Sequence, residues 1–273
     1  MTLHGISAKT IVEACFDLDG VAQLATVYDV ARAVGVEDQP VRIAIRRMQT
    51  AGVLTQVGRG RKGHLVLSAG ARARDLADQA YLTLAAAQDA GEQTWGGSWH
   101  LYTFSVPEQL RQHRDAIRSA LVRLGAAPLA QGLYVSPFPL RSALDVESAE
   151  QYLIVAEAQT LTGPGLGSPK EIAETLWPAA AIEEAYAPLG ELLAGWRTAA
   201  ATDDVPERLA ASLRLAEAFS FAMERDPLVP PELREASWSP PETRREFWRA
   251  WDALQRDLPA VTLFESFREP GRA

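Results

Sequence analysis

The sequence predicts a multidomain α+β protein, and three observations carry the prediction. The chain has 273 residues, 47% of them hydrophobic and 23% charged, a composition that fills packed interiors and a length that exceeds one ordinary domain. Its first 70 residues place helical spacings of apolar residues ahead of a glycine-rich hairpin pattern. The middle of the chain then alternates strand and helix patterns, and the residues beyond 170 read as helices alone. The predicted organisation is a winged helix-turn-helix over 1–70, a connecting helix over 71–97, a ferredoxin-like α+β domain over 98–161 and a helical C-terminal domain over 170–273.

Charge is distributed unevenly along this plan. The net charge is −8, which argues against a uniformly basic nucleic-acid coat. Residues 1–75 nevertheless hold 10 basic against 7 acidic side chains, while the remainder holds 17 against 28. Residues 39–74 carry eight basic side chains and no acidic one. A basic segment joined to an acidic body is the footprint of a nucleic-acid-binding module.

Within that segment, Ile6 to Phe16 is spaced as an amphipathic helix with Ser7 as its cap, and Cys15 on it reads as a small buried hydrophobe. A second helix is predicted from Thr26, ending at Gly35, and a third from Asp38 as cap, with Pro40 in its first turn and Gly52 at its end. On the third helix Val41, Ala44, Ile45 and Met48 recur at spacings of three and four and face inward. Gln39, Arg42, Ile43, Arg46 and Gln49 point outward, with Arg47 beside them. Arg donates two hydrogen bonds to guanine and Gln pairs similarly with adenine, so this face suits a major groove. Leu54–Val57 and His64–Leu67 then read as two strands around Gly58-Arg-Gly-Arg-Lys-Gly63, a wing whose tip presents Arg59, Arg61 and Lys62 to phosphates or the minor groove. Gly58, Gly60 and Gly63 also spell the dinucleotide fingerprint, but a strand pattern follows where that fingerprint needs a helix.

Residues 71–90 are predicted as a helix with Leu76, Ala80, Tyr81 and Leu84 on one stripe. Gly96-Gly97 marks a boundary, and Trp99–Ser105 alternates as a strand. Ser105 and Glu108 form the pattern of a capping box. The helix after it would bury Leu110, Ile117, Leu121 and Leu124 and expose Arg111, Arg114 and Arg118, a row able to receive an anionic effector. Leu129–Val135 is predicted as a strand, 143–150 as a short helix and 152–158 as a further strand, giving the ferredoxin-like arrangement. Residues 162–169 are a linker by composition. Helices are expected over 170–198, 205–225 and 241–257, with Trp238, Phe247, Trp248 and Trp251 as core aromatics or as the wall of a pocket for a flat ligand, Trp248 being the candidate effector contact.

The order of these features resembles one family, the PaaX-type transcriptional repressors of phenylacetate catabolism. The resemblance rests on residues 41–54, on Trp99-His-Leu-Tyr-Thr-Phe-Ser-Val-Pro107 through Gly132-Leu-Tyr-Val-Ser-Pro137, and on Phe221-Ala-Met-Glu-Arg-Asp-Pro227 with Leu228, Pro230, Leu233 and Trp238. It implies a homodimer that represses operator DNA of a catabolic operon. It also implies release by a small-molecule effector, an aryl-CoA thioester such as phenylacetyl-CoA in the type case or another acyl-CoA.

Other classes are weighed against this. A single Cys and four His cannot build a tetrahedral zinc site or an internal disulfide. The opening residues lack a signal-peptide pattern and no run approaches the ~20 apolar residues of a membrane span, so a cytoplasmic protein without membrane contact is expected. No Walker, nucleophile-elbow or zincin motif is present, and no enzyme activity, metal or cofactor is expected. The alternative is a metal-dependent nuclease on the central domain. Such a site needs converging carboxylates, whereas the first strand here ends at Ser105 with Glu108 and Asp115 on the next helix.

Overall fold

A computed structural model describes residues 5–144, 146–256 and 263–264. Among these residues the chain is mixed α+β with two small antiparallel sheets. The chain divides into two units, one formed by residues 1–86, 188–220 and 242–273 and the other by 87–187 and 221–241.

The first unit begins with α1 (Ala8–Ala14), whose Thr10 amide donates to the Ser7 hydroxyl as the cap pattern predicts. Then come β1 (Val21–Gln23), α2 (Leu24–Ala33), α3 (Asp38–Thr50), β2 (Leu54–Val57), β3 (His64–Leu67) and α4 (Ala69–Asp89). The strands form an antiparallel sheet in the order β1-β3-β2, with Val21 opposite Val66 and Leu54 opposite Leu67. Ile11, Val27, Val41, Ile45, Met48, Leu54 and Leu65 share one core.

Three expectations shift here. β1 is too short to alternate visibly in sequence. Because it runs directly into α2, that helix starts at Leu24 rather than Thr26, its first amide donating to the Gly63 carbonyl at 3.0 Å. Asp38 is the first residue of α3 and not its cap, the capping position being Glu37 without a side-chain bond. The stripe on α4 is also revised, since Leu76 is 66% exposed and Ala71, Ala85 and Gln88 are the buried positions.

In the second unit β4 (Trp99–Phe104), α5 (Arg111–Arg123), β5 (Ala127–Ala130), β6 (Leu133–Ser136), α6 (Glu147–Tyr152) and β7 (Leu153–Ala158) follow the βαββαβ order. Their sheet is antiparallel throughout, with strand order β5-β6-β4-β7. Tyr102, Ile117, Leu121 and Leu153 lie in its core, while Leu110 is exposed instead of buried. The single strand expected over 129–135 is a hairpin, turned at Gly132 with φ +73°.

The capping box expected at Ser105 and Glu108 does not form; a 3-10 turn occupies Glu108–Leu110 and α5 starts at Arg111 without a side-chain cap. The same pattern at Ser168 and Glu171 does form a box. Proline placement explains the difference. The residue before a proline avoids the helical region. Ahead of Pro169 that residue is Ser168, the extended cap itself, whereas ahead of Pro107 it is Val106, which would have to be helical.

The later helices are α7 (Pro169–Leu176), α8 (Ala179–Leu193), α9 (Trp196–Ala201), α10 (Val205–Met223) and α11 (Pro240–Gln255). The helix expected over 170–198 is therefore three, broken at Trp177-Pro178 and at Ala194-Gly195. Leu209 and Leu213 of α10 join the core of the first unit. Phe219 stacks on Phe247 with centroids 3.9 Å apart, and Phe247 on Trp251 at 5.8 Å.

The segment after α10 is a polar anchor of the second unit. Buried Asp226 accepts from the Tyr186 hydroxyl at 2.7 Å and the Leu228 amide at 2.9 Å, and the Leu228 carbonyl accepts from Gln88 at 2.8 Å.

Candidate nucleic-acid interface

The apolar spacing of α3 fixes which of its side chains meet solvent. Val41, Ile45 and Met48 are buried against α1 and α2. At 100° per residue, Gln39, Ile43, Arg46 and Arg47 then fall on the opposite side and Arg42 and Gln49 on one flank of it, and all six are exposed. Ile43 is 46% exposed, an apolar side chain set among polar ones. Arg42 is paired with Asp38 one turn earlier, at 3.2 Å.

The β2–β3 hairpin presents Arg59, Arg61 and Lys62 at its tip, all exposed, with a 3-10 turn over Gly60–Lys62. Gly63 permits the tip to close. A β-carbon there would lie 2.9 Å from the Val57 carbonyl oxygen and 3.1 Å from Leu24 Cδ1. Arg61 reaches across to Asp29 on α2, with Nη2 and Oδ1 2.5 Å apart, and this hydrogen bond and charge raise its pKa further. Asp29 also lies 3.7 Å from Arg32. Among the described residues, Arg46, Arg47, Arg59 and Lys62 have no carboxylate within ion-pair distance. The pairing of Arg42 with Asp38 is readable from i,i+4 spacing, whereas Asp29 is a residue that sequence reasoning misses. Thirty-two positions separate it from Arg61, and nothing local signals the contact.

The residues proposed for an effector fall in different units. Arg111, Arg114 and Arg118 lie on α5, and two of them are engaged by carboxylates, Arg114 with Glu108 at 3.1 Å and Arg118 with Asp115 at 3.5 Å. Trp248 is 7% exposed, with its ring edge against Phe219 and Phe247 at 5.5 and 5.0 Å. The two acids that a nuclease reading would use are thus each bound to an arginine, and Ser105 donates its amide to the Tyr152 carbonyl. Among the described residues no three His, Cys, Asp or Glu side chains are grouped to hold a metal ion, and no helix is long and apolar enough to cross a membrane.

Residues 92–173 match the family model of the PaaX protein central Cas2-like domain. The chain carries a PaaX-type central domain. The match spans the whole β4–β7 sheet and both its helices, and ends within α7. A solved structure of the uncharacterized protein Rv0674 from Mycobacterium tuberculosis aligns at 21% identity over 90% of this chain and 92% of that one, with a TM-score of 0.49. No curated protein matches the chain.

Proposed function

We propose that α1–α3 with the β2–β3 hairpin form a winged helix-turn-helix, and that the chain is a PaaX-like transcriptional regulator binding double-stranded DNA. The observation that carries this reading is one exposed face of α3 bearing Gln39, Arg42, Ile43, Arg46, Arg47 and Gln49, accompanied by a hairpin whose tip holds three further cations. The α3 side chains enter a major groove and read base edges, while Arg59, Arg61 and Lys62 meet phosphates. As a homodimer, two such helices address half-sites about 34 Å or a multiple of it apart, so a near-palindromic operator is preferred. The regulator represses a catabolic operon until a small-molecule effector favours the state with lower DNA affinity, which requires different effector affinities in the two states.

The test is an electrophoretic shift with duplex from upstream of the protein's own gene, over a range of salt. Each neutralised phosphate adds ~0.9 to the log–log slope. The expected slope per bound copy lies between about 2.7, if only the hairpin cations Arg59, Arg61 and Lys62 neutralise phosphates, and about 5.4 if the three arginines of α3 do so as well. Arg42→Ala relaxes base preference, whereas Arg61→Ala weakens binding on all sequences alike. A flat salt dependence sinks the DNA-binding reading. For the effector, a thermal shift against acyl-CoA thioesters is the direct measurement.

A further inference from the structure

Arg234 follows the 3-10 turn Pro231–Leu233 and is buried, its side chain only 2% exposed. Nη1 donates to the Trp177 carbonyl at 2.8 Å and lies 3.3 Å from Glu174 Oε2. The Trp238 ring lies over the guanidinium, with its centroid 4.7 Å from Cζ. Nε and Nη2 are also buried, and neither has a hydrogen-bond partner among the described residues. Burial lowers the pKa of Arg234, while Glu174, Asp226 and Glu183 act in the opposite sense. An arginine keeps its proton in proteins, so the group is a buried cation with two donors unused, an arrangement that costs stability unless something accepts them.

The two unused nitrogens share one side of the guanidinium. Nε–H and Nη2–H point in parallel from that edge, the spacing that meets both oxygens of a carboxylate or two of a phosphate. The other edge is occupied by Trp177 and Glu174. Charge decides between the two anions. Three carboxylates already act on this guanidinium, so a dianion adds more repulsion than a monoanion. Half-buried Trp238, in the segment between the 3-10 turn and α11, supplies an apolar cover.

We propose that the Nε–Nη2 edge of Arg234 anchors a small organic monocarboxylate beside the Trp238 ring. Arg234, Glu174, Trp177 and Trp238 all belong to the second unit.

The test uses the full chain labelled with ¹⁵N and formate as probe, the smallest carboxylate. The Arg234 Nε–H resonance is identified by its loss in Arg234→Lys, or by through-bond assignment should that variant not fold. Formate is expected to move this resonance saturably, whereas chloride at equal ionic strength does not and phosphate does so more weakly. Formate also raises the melting temperature of the wild type but not of Arg234→Lys, whose single ammonium cannot present the parallel pair. An Nε–H resonance indifferent to formate, an equal melting-temperature gain in Arg234→Lys, or a stronger response to phosphate each overturns the assignment.

Discussion

Asp29→Asn is the perturbation that most directly tests whether the hairpin tip meets DNA. Arg61 sits 2.5 Å from Asp29, with side chains 49% and 53% exposed. To reach a phosphate, Arg61 must leave that carboxylate. Water screens a pair this exposed, so releasing it shifts an equilibrium by less than a factor of about five. Asp29→Asn is therefore expected to tighten DNA binding up to about fivefold per hairpin at low salt. The salt slope also steepens, by at most ~0.9. In the wild type Asp29 is left to take up a cation when Arg61 departs, and in the variant it is not. Fluorescence anisotropy on a labelled duplex at several salt concentrations measures both quantities. The decisive comparison adds Arg61→Ala and the double variant, since coupled residues deviate from additivity. The gain from Asp29→Asn should shrink or vanish on the Arg61→Ala background. An equal gain on both backgrounds refutes the reasoning, because the carboxylate would then repel DNA from a distance and Arg61 would not make the contact.

Three further outcomes follow from the packing. Gly125 has φ +86°, and a β-carbon there would lie 3.0 Å from the Pro227 carbonyl oxygen. Gly125→Ala thus combines a left-handed penalty of roughly 1–2 kcal/mol with overpacking of roughly 1–3 kcal/mol, and a urea-unfolding loss well under 1 kcal/mol would contradict this. The Tyr102 hydroxyl accepts from the Leu140 amide at 2.7 Å and donates to the Phe138 carbonyl at 3.3 Å; Tyr102→Phe strands that buried amide and should cost about 1–3 kcal/mol by the same measurement. Burial pushes the Cys15 thiol from 9.0 up to about 12, so it should resist thiol reagents at pH 8 until the protein unfolds. Its neutral form is favoured in the folded state. Its contribution to stability is complete below pH 9, declines as the unfolded thiol ionises, and is lost by about pH 12. A pH-stability profile of Cys15→Ala should lack that decline.

Much of the fold was legible because it rests on local patterns. The inward stripe of α3, the hairpin around residues 58–63 and the βαββαβ order of the central domain all come from spacing and turn chemistry within a few residues. The elements that were misread depend on something outside the local pattern. Strand β1 exists because Val21–Gln23 pairs with residues 64–66. The start of α2 is then set by a bond to Gly63. Ser105 and Ser168 carry the same cap pattern, and a one-position shift of proline separates the box that forms from the one that does not.

The candidate interface shows the same division. Each cation at it was visible as a residue, but its state of charge compensation was not. Residues 39–74 contain no acid, which makes all eight basic side chains look available. Two are met by acids upstream of that window, Arg42 by the adjoining Asp38 and Arg61 by the more distant Asp29. Arg42–Asp38 follows helical spacing, while Arg61–Asp29 exists only because the closing hairpin brings its tip to α2. Composition therefore overstates the free positive charge of this surface. Of the cations on α3 and the hairpin tip, Arg46, Arg47, Arg59 and Lys62 have no ion-pair partner among the described residues, so they would meet a phosphate without first giving up a carboxylate. For Arg42 and Arg61, a phosphate would have to compete with the protein's own acid, which lowers what each could add to DNA binding.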